Sequence, residues 1–170
     1  RLKRVSNYDK DDPTLHESDV PPMTRFLVDQ YGDSDEPSVG HRVMFFDIEV
    51  EVTDGFPDIE KAQNPITSIA LCDSMTEKYF TYVFDPQERL KNYSKDDQIV
   101  EFYSTEYEML NKFYQKYLEI RPTIISGWNS DFFDIPYLYN RAIRVLGANV
   151  ASLLSPISEI NYSDFTKKHR

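Results

Sequence analysis

Disulfide bonding within the chain is closed to this sequence, whose 170 residues hold one cysteine, Cys72. That removes the small secreted, disulfide-framed class and leans toward a reducing compartment. Long apolar runs are missing too. None approaches the ~18 residues that a membrane-crossing helix needs. The opening Arg1-Leu2-Lys3-Arg4 leads into Asn7, Asp9, Asp11 and Asp12, not into the apolar stretch of a signal peptide. Positive charge is in deficit: 19 Lys and Arg stand against 29 Asp and Glu, a formal net charge of −10. Such a chain is poorly suited to hold duplex nucleic acid by phosphate neutralisation. It can still be a nuclease, because clustered carboxylates grip divalent cations that then meet the phosphate. No internal repeat is evident, and His16, His41 and His169 lie far apart without ligand spacing.

What is present is the composition of a globular protein, 40% hydrophobic and 14% aromatic. A chain of this length can bury roughly 68–70% of its unfolded surface without cross-links. Residues 1–40 are polar and carry Pro13, Pro21, Pro22 and Pro37, with only Phe26-Leu27-Val28 reading as ordered, and Gly32 to Gly40 reads as a linker. The compact domain is expected to begin near His41. Arg42 to Val52 reads as a strand whose first half, Val43-Met44-Phe45-Phe46, is buried on both faces. Ile66 to Leu71 and Lys78 to Phe84 follow as strands joined by a hairpin at Cys72 to Glu77, and Ile99 to Tyr103 is a further short strand candidate. Thr105 and Glu108 form a capping-box pair opening a helix whose stripe is Leu110, Phe113, Tyr114, Tyr117 and Leu118. Tyr107, Tyr114 and Tyr117 are expected in the core, and Pro122 ends the helix. Thr123 to Ser126 enters the turn Gly127-Trp128-Asn129. A second helix runs from about Ile135 to Leu146, with the stripe Leu138, Ala142 and Val145 or Leu146 and with Gly147 at its end. The order predicts a mixed sheet with helices packed on it.

Asp47 and Glu49 stand two apart on the first strand, so they share a face while Phe46, Ile48 and Val50 point the other way. Two acids beside so apolar a run repel one another unless protons or cations intervene. Mg²⁺ takes carboxylate oxygens, and two such ions can activate a water and stabilise the leaving oxygen in phosphodiester hydrolysis. Alternating Asp47, Glu49 and Glu51 is also what the wet face of a half-exposed strand looks like, the commoner origin of such a pattern. Asp134 precedes a helix with Pro136 in its first turn, so an ordinary N-cap explains it as well. The turn that leads to it nevertheless follows a strand, at the carboxyl end where α/β sites tend to lie. Trp128 could stack on a base, but packing beside that turn is the commoner role; Cys72 is read as a small strand residue, and the basic clusters at Arg1–Arg4 and Lys167–Arg170, which could touch phosphates, as solvated ends.

Phe46-Asp47-Ile48-Glu49 resembles the first exonuclease motif of family B DNA polymerases. Gly127-Trp128-Asn129, running through Phe133-Asp134-Ile135-Pro136-Tyr137 to Tyr139-Asn140-Arg141, resembles the second. Glu17 to Pro22 and Arg25 to Asp29 are similar to the segment that joins the family's amino-terminal domain to its exonuclease domain, and Asp54 to Pro57 is similar to phage-type members. The resemblance covers about residues 17–156, and two motifs in order with a helix between them make it specific. It implies a ribonuclease-H-like (DnaQ-like) α/β fold: a mixed sheet with flanking helices, C-terminally incomplete. It divides the chain into the end of an amino-terminal domain and linker, 1–40, and a partial exonuclease domain, 41–170.

The implied activity is 3′→5′ proofreading on single-stranded primer ends. Two Mg²⁺ (or Mn²⁺) ions would be held by Asp47, Glu49 and Asp134, and Asn129 and Phe133 would line the DNA. Partners would be the primer 3′ end and the remainder of the polymerase or a complementing subunit, with no membrane, in the cytoplasm (the host's, if viral) or wherever the genome is replicated. The family's third motif, Y-x3-D, is not found downstream: Tyr162 has Thr166 four residues on. With Arg1 in place of Met, this implies a piece of a larger polymerase with weak or no activity alone. Two other readings stand beside it, a non-catalytic module of a split polymerase that needs a partner chain, and a ribonuclease-H-like hydrolase with another substrate such as structured RNA.

Overall fold

The computed structural model describes residues 20–37, 39–53 and 55–160. The terminal basic clusters, His16, His169, Glu17 to Asp19, Asp54, Tyr162 and Thr166 lie outside the described residues. The chain divides into two compact units between Val39 and Gly40. In the first, α1 spans Pro22–Tyr31, longer than the three-residue ordered stretch expected. Pro22 starts it from the position where a missing N–H costs nothing, and Arg25 reaches Asp29 one turn on at 2.9 Å.

The second unit is built on a six-stranded sheet: β1 (Val43–Val50), β2 (Ile66–Asp73), β3 (Lys78–Phe84), β4 (Tyr93–Lys95), β5 (Gln98–Tyr103) and β6 (Ile124–Ser126). Its order is β4-β5-β3-β2-β1-β6, with β1, β2 and β3 antiparallel, and with β5 and β6 running parallel to β3 and β1 respectively. The helices α2 (Glu106–Ile120), α3 (Asp134–Leu146) and α4 (Ala148–Ala151) complete it, followed by a 3-10 turn at Ser152–Leu154. Tyr114 and Tyr117 of α2 donate hydroxyls to the carbonyls of Ala151 and Leu154, tying down that last segment.

Side-chain alternation decides what the sheet covers. Met44, Phe46 and Ile48 of β1 join Ile69, Leu71 and Tyr82 in one core with Met109, Leu110 and Phe113 of α2 and Leu138 of α3. The other face of β1 carries Phe45, Asp47 and Glu49, all exposed. The double-sided burial expected for Val43–Phe46 is therefore corrected: Phe45 is 50% exposed. The helices that bury Met44 and Phe46 meet one face only. Likewise Tyr107 and Leu118, expected inside, lie on the solvent side of α2, whereas Met109 and Ile120 complete the buried stripe.

The β2–β3 hairpin is clamped at its turn. Arg42 grips Asp73 bidentately at 2.7 and 2.6 Å, and Asp73 also accepts from the Met75 amide and the Thr76 hydroxyl in the turn. At the other end of β2 the register with β1 slips: Glu49 faces Ser68 but Val50 faces Ile66, so Thr67 is an extra residue, a β-bulge. Ile66 and Ile69 are three apart and both fully buried, which an unbroken strand cannot arrange. The Thr67 hydroxyl donates to the Glu49 carbonyl at 3.1 Å.

Candidate active site

Parallel pairing of β6 with β1 brings the turn after β6 to the middle of β1. Val43, Met44 and Phe45 face Ile124, Ile125 and Ser126, so the chain leaves β6 level with Phe46 and Asp47. Gly127 then passes so close to β1 that a Cβ there would collide with the Phe46 carbonyl oxygen. Asn129 adopts the left-handed conformation, φ +57, that asparagine tolerates better than most residues. Its carbonyl accepts from the amides of Phe132 and Phe133, and the Ser130 carbonyl accepts from that of Ile135, so a tight turn feeds directly into α3.

Asp134 is the first residue of α3, and Phe133 occupies the cap position without a side-chain cap bond. The N-cap role considered for Asp134 is thus corrected. Its carboxylate crosses to β1 and accepts the Ile48 amide at 3.1 Å, between the two acids of that strand. Ile48 can spare that amide because β1 meets its neighbours on alternate residues. Asp134 is buried, and loss of water pushes its carboxyl above the ordinary range. The Ile48 amide opposes the rise, while the charges of Asp47 and Glu49 add to it.

The three acids line one cleft of about 470 Å³ with Asn129 and Phe133, so all five residues singled out in the sequence meet in one place. Phe56 and Trp128 complete the aromatic part of its wall. Trp128 is 92% exposed, which corrects its reading as packing. Phe56, 5.1 Å from the Phe133 ring, was not singled out by the residue pattern, because a lone phenylalanine in a loop carries no periodic signal. Phe133 in turn stacks on Tyr137 of α3 at 5.5 Å.

The donor set suits a hard divalent cation. The oxygens are carboxylates, and the fields of two of them disfavour the charge of the third, an effect that a cation reverses. As the side chains stand, no three His, Cys, Asp or Glu among the described residues close together tightly enough to hold one ion. Asp134 instead spends an oxygen on the Ile48 amide.

The family model for the exonuclease domain of DNA polymerase family B matches residues 29–170. This chain belongs to that family. The exonuclease domain is 33% identical over 138 residues to the DNA-directed DNA polymerase of Escherichia phage RB69, covering 68% of this chain and 15% of that protein. It is 31% identical over 141 residues to the DNA-directed DNA polymerase of enterobacteria phage T4, covering 66% and 15%. To DNA polymerase 1 of Saccharolobus solfataricus it is 38% identical over 101 residues, covering 58% and 11%. The chain therefore spans about 15% or less of the length of these relatives. The mixed sheet with flanking helices agrees with the ribonuclease-H-like fold that the two motifs imply. Among the described residues, no helix is long and apolar enough to cross a membrane.

Proposed function

We propose that this exonuclease domain removes nucleotides from the single-stranded 3′ end of a primer, as the proofreading site of a family B DNA polymerase. One observation carries the reading: Asp47, Glu49 and Asp134 share a cleft with Asn129 and an aromatic wall. Asp47, Glu49 and Asp134 would hold two divalent ions, Mg²⁺ or Mn²⁺. When bound, such ions supply an activated water and neutralise the leaving oxygen.

The chain's own residues do the rest. Asp47 and Glu49 project from the exposed face of β1, and Asp134 reaches them from α3. Phe56, Trp128 and Phe133 offer ring faces on which unstacked bases rest, an interaction that accepts any sequence. A mismatched end frays at low cost and reaches such a cleft more readily than a paired one. Residues 1–40 would be the end of a preceding domain with its linker, and 41–170 part of the exonuclease domain. The rest of the polymerase chain, or a complementing subunit, would supply the Y-x3-D pair and the synthetic site, in the cytoplasm where the genome is copied. The 170 residues alone are accordingly expected to hydrolyse DNA slowly, and faster when the segment with Y-x3-D is present.

The test is a Mn²⁺ titration and an assay of nucleotide release, read as stepwise shortening of a 5′-labelled single-stranded oligonucleotide, on wild type and on Asp47→Ala. Affinity should fall at least about tenfold in the variant, in line with loss of a charged ligand, and release should cease. If Asp47→Ala binds the ion as tightly as wild type, the metal assignment is wrong.

A further inference from the structure

Phe56 stands on the irregular segment 51–65 between β1 and β2. Apart from Glu51 to Pro65 and Ala62 to Asp58, few backbone hydrogen bonds among its described residues hold it in shape. Its carbonyls instead accept from one face of α3. The Tyr137 hydroxyl donates to the Asn64 carbonyl at 2.8 Å, and the Asn140 amide to the Ile59 carbonyl at 2.9 Å. Arg141 Nη1 donates to the carbonyls of Ala62 and Gln63 at 3.1 and 2.7 Å.

Positions 137, 140 and 141 are i, i+3 and i+4, one stripe of the helix whose first turn holds Asp134. The remaining guanidinium edge of Arg141 clasps Glu106 at 2.8 and 2.6 Å. Glu106 also accepts the Ile66 amide, at the point where the segment re-enters the sheet. Ala62 is held fully buried at φ +40, a conformation that residues with a Cβ seldom adopt unless their surroundings impose it.

We propose that Tyr137, Asn140 and Arg141 are positioning residues for single-stranded DNA. By fixing the 59–64 carbonyls they set Phe56 against Phe133 and so fix the slot into which a base stacks. The helix that carries Asp134 thereby positions both walls of the cleft, and the ordering cost of the 51–65 segment is met on folding and not on binding. This rests on the proofreading reading above.

The only tryptophan, Trp128, lies in the cleft and reports occupancy directly. Binding of a hydrolysis-resistant phosphorothioate octathymidylate in Mg²⁺ is followed by Trp128 emission. Mn²⁺ binding without DNA and hydrogen exchange over 55–64 are measured in parallel. Tyr137→Phe keeps the ring on Phe133 and loses one hydrogen bond, and it serves alone should the double variant with Asn140→Ala fail to fold.

The double variant should bind the oligonucleotide about tenfold more weakly, the sum of two lost hydrogen bonds of modest strength, and Tyr137→Phe about threefold more weakly. Exchange over 55–64 should accelerate while Mn²⁺ affinity stays within about twofold, since neither residue is an ion ligand. Unchanged DNA affinity in the variants overturns the proposal. So does a parallel loss of Mn²⁺ and DNA affinity, the mark of a merely structural role. If wild type itself fails to bind the oligonucleotide, the proofreading reading falls, and this inference with it.

Discussion

Asn129 has two roles that one substitution separates. Its left-handed backbone shapes the turn into α3, and its side chain is exposed on the cleft. Glycine keeps that conformation at little cost while removing the amide. Asn129→Gly is therefore expected to leave stability within about 1 kcal/mol of wild type. Oligonucleotide affinity should drop about fivefold, the worth of one hydrogen bond. Paired melting and Trp128 titrations would check this, and wild-type affinity in the variant would assign Asn129 to the turn alone.

Asp134 makes a prediction of opposite sign from most substitutions. Its folded carboxyl holds a proton more tightly than the unfolded one, so the ionised side chain subtracts stability once pH passes the ordinary carboxylate range. Asp134→Asn keeps an acceptor for the Ile48 amide and removes the charge. In metal-free buffer at pH 7 it should melt about 2–4 °C higher, equivalent to ~1 kcal/mol for a chain of this size. The gap should close below about pH 4, where both states of the wild-type residue are protonated. A lower Tm for the variant at pH 7 would contradict the assignment of burial and neighbouring charge as the cause.

At the scale of elements, legibility followed periodicity. The strands 66–71 and 78–84 were readable from their β-branched and aromatic runs, and β3 matches its expected bounds. The first helix was readable from its cap: the Thr105 hydroxyl accepts the Glu108 amide, the first half of a capping box, while the Glu108 carboxylate accepts from that hydroxyl and not from the Thr105 amide. α3 was readable from its stripe and from Gly147, which ends it at φ +90. β4 was not readable, because a three-residue exposed strand has no room for a pattern. α1 hid behind two prolines that read as breakers, although the second is a good first helical residue. Phe45 and Trp128 are exposed where the sequence predicts burial, because apolar character does not say whether anything covers a position: the helices lie against the other face of β1 from Phe45, and Trp128 stands on a turn.

Of the site itself, the acids were legible and the scaffolding was not. Asp47 and Glu49 follow from alternation, and Asp134 from the resemblance of its motif. Nothing in the residue pattern indicates that Tyr137, Asn140 and Arg141 donate to a loop some 75 positions earlier in the chain, because side-chain to carbonyl bonds leave no periodic trace.

For the molecule as a whole, the arrangement hangs the turn that delivers Asp134 on a short strand at the margin of the sheet. β6 pairs with β1 through three positions at the sheet margin, whereas β2 is paired along most of its length on both sides. Opening there needs few bonds to break, and it would release the turn that delivers Asp134. Native-state hydrogen exchange should show amides of Ile124–Ser126 exchanging at least about tenfold faster than those of Ile69–Cys72. Equal protection in the two strands would mean that sheet and turn open together.

The extra residue at Thr67 bears on which length changes the chain can absorb. Deleting Thr67 would leave Ile66 two positions from Ile69 in regular register, both still facing the interior, at the loss of the hydroxyl bond to the Glu49 carbonyl. Adding a residue there would instead have to enlarge the bulge or turn Ile66 out of the interior. A residue lost or gained among 86–92, where the backbone is exposed and irregular, would meet no such constraint. Among related chains, length changes are therefore expected to gather in that outer loop, and insertions to spare the stretch opposite Glu49.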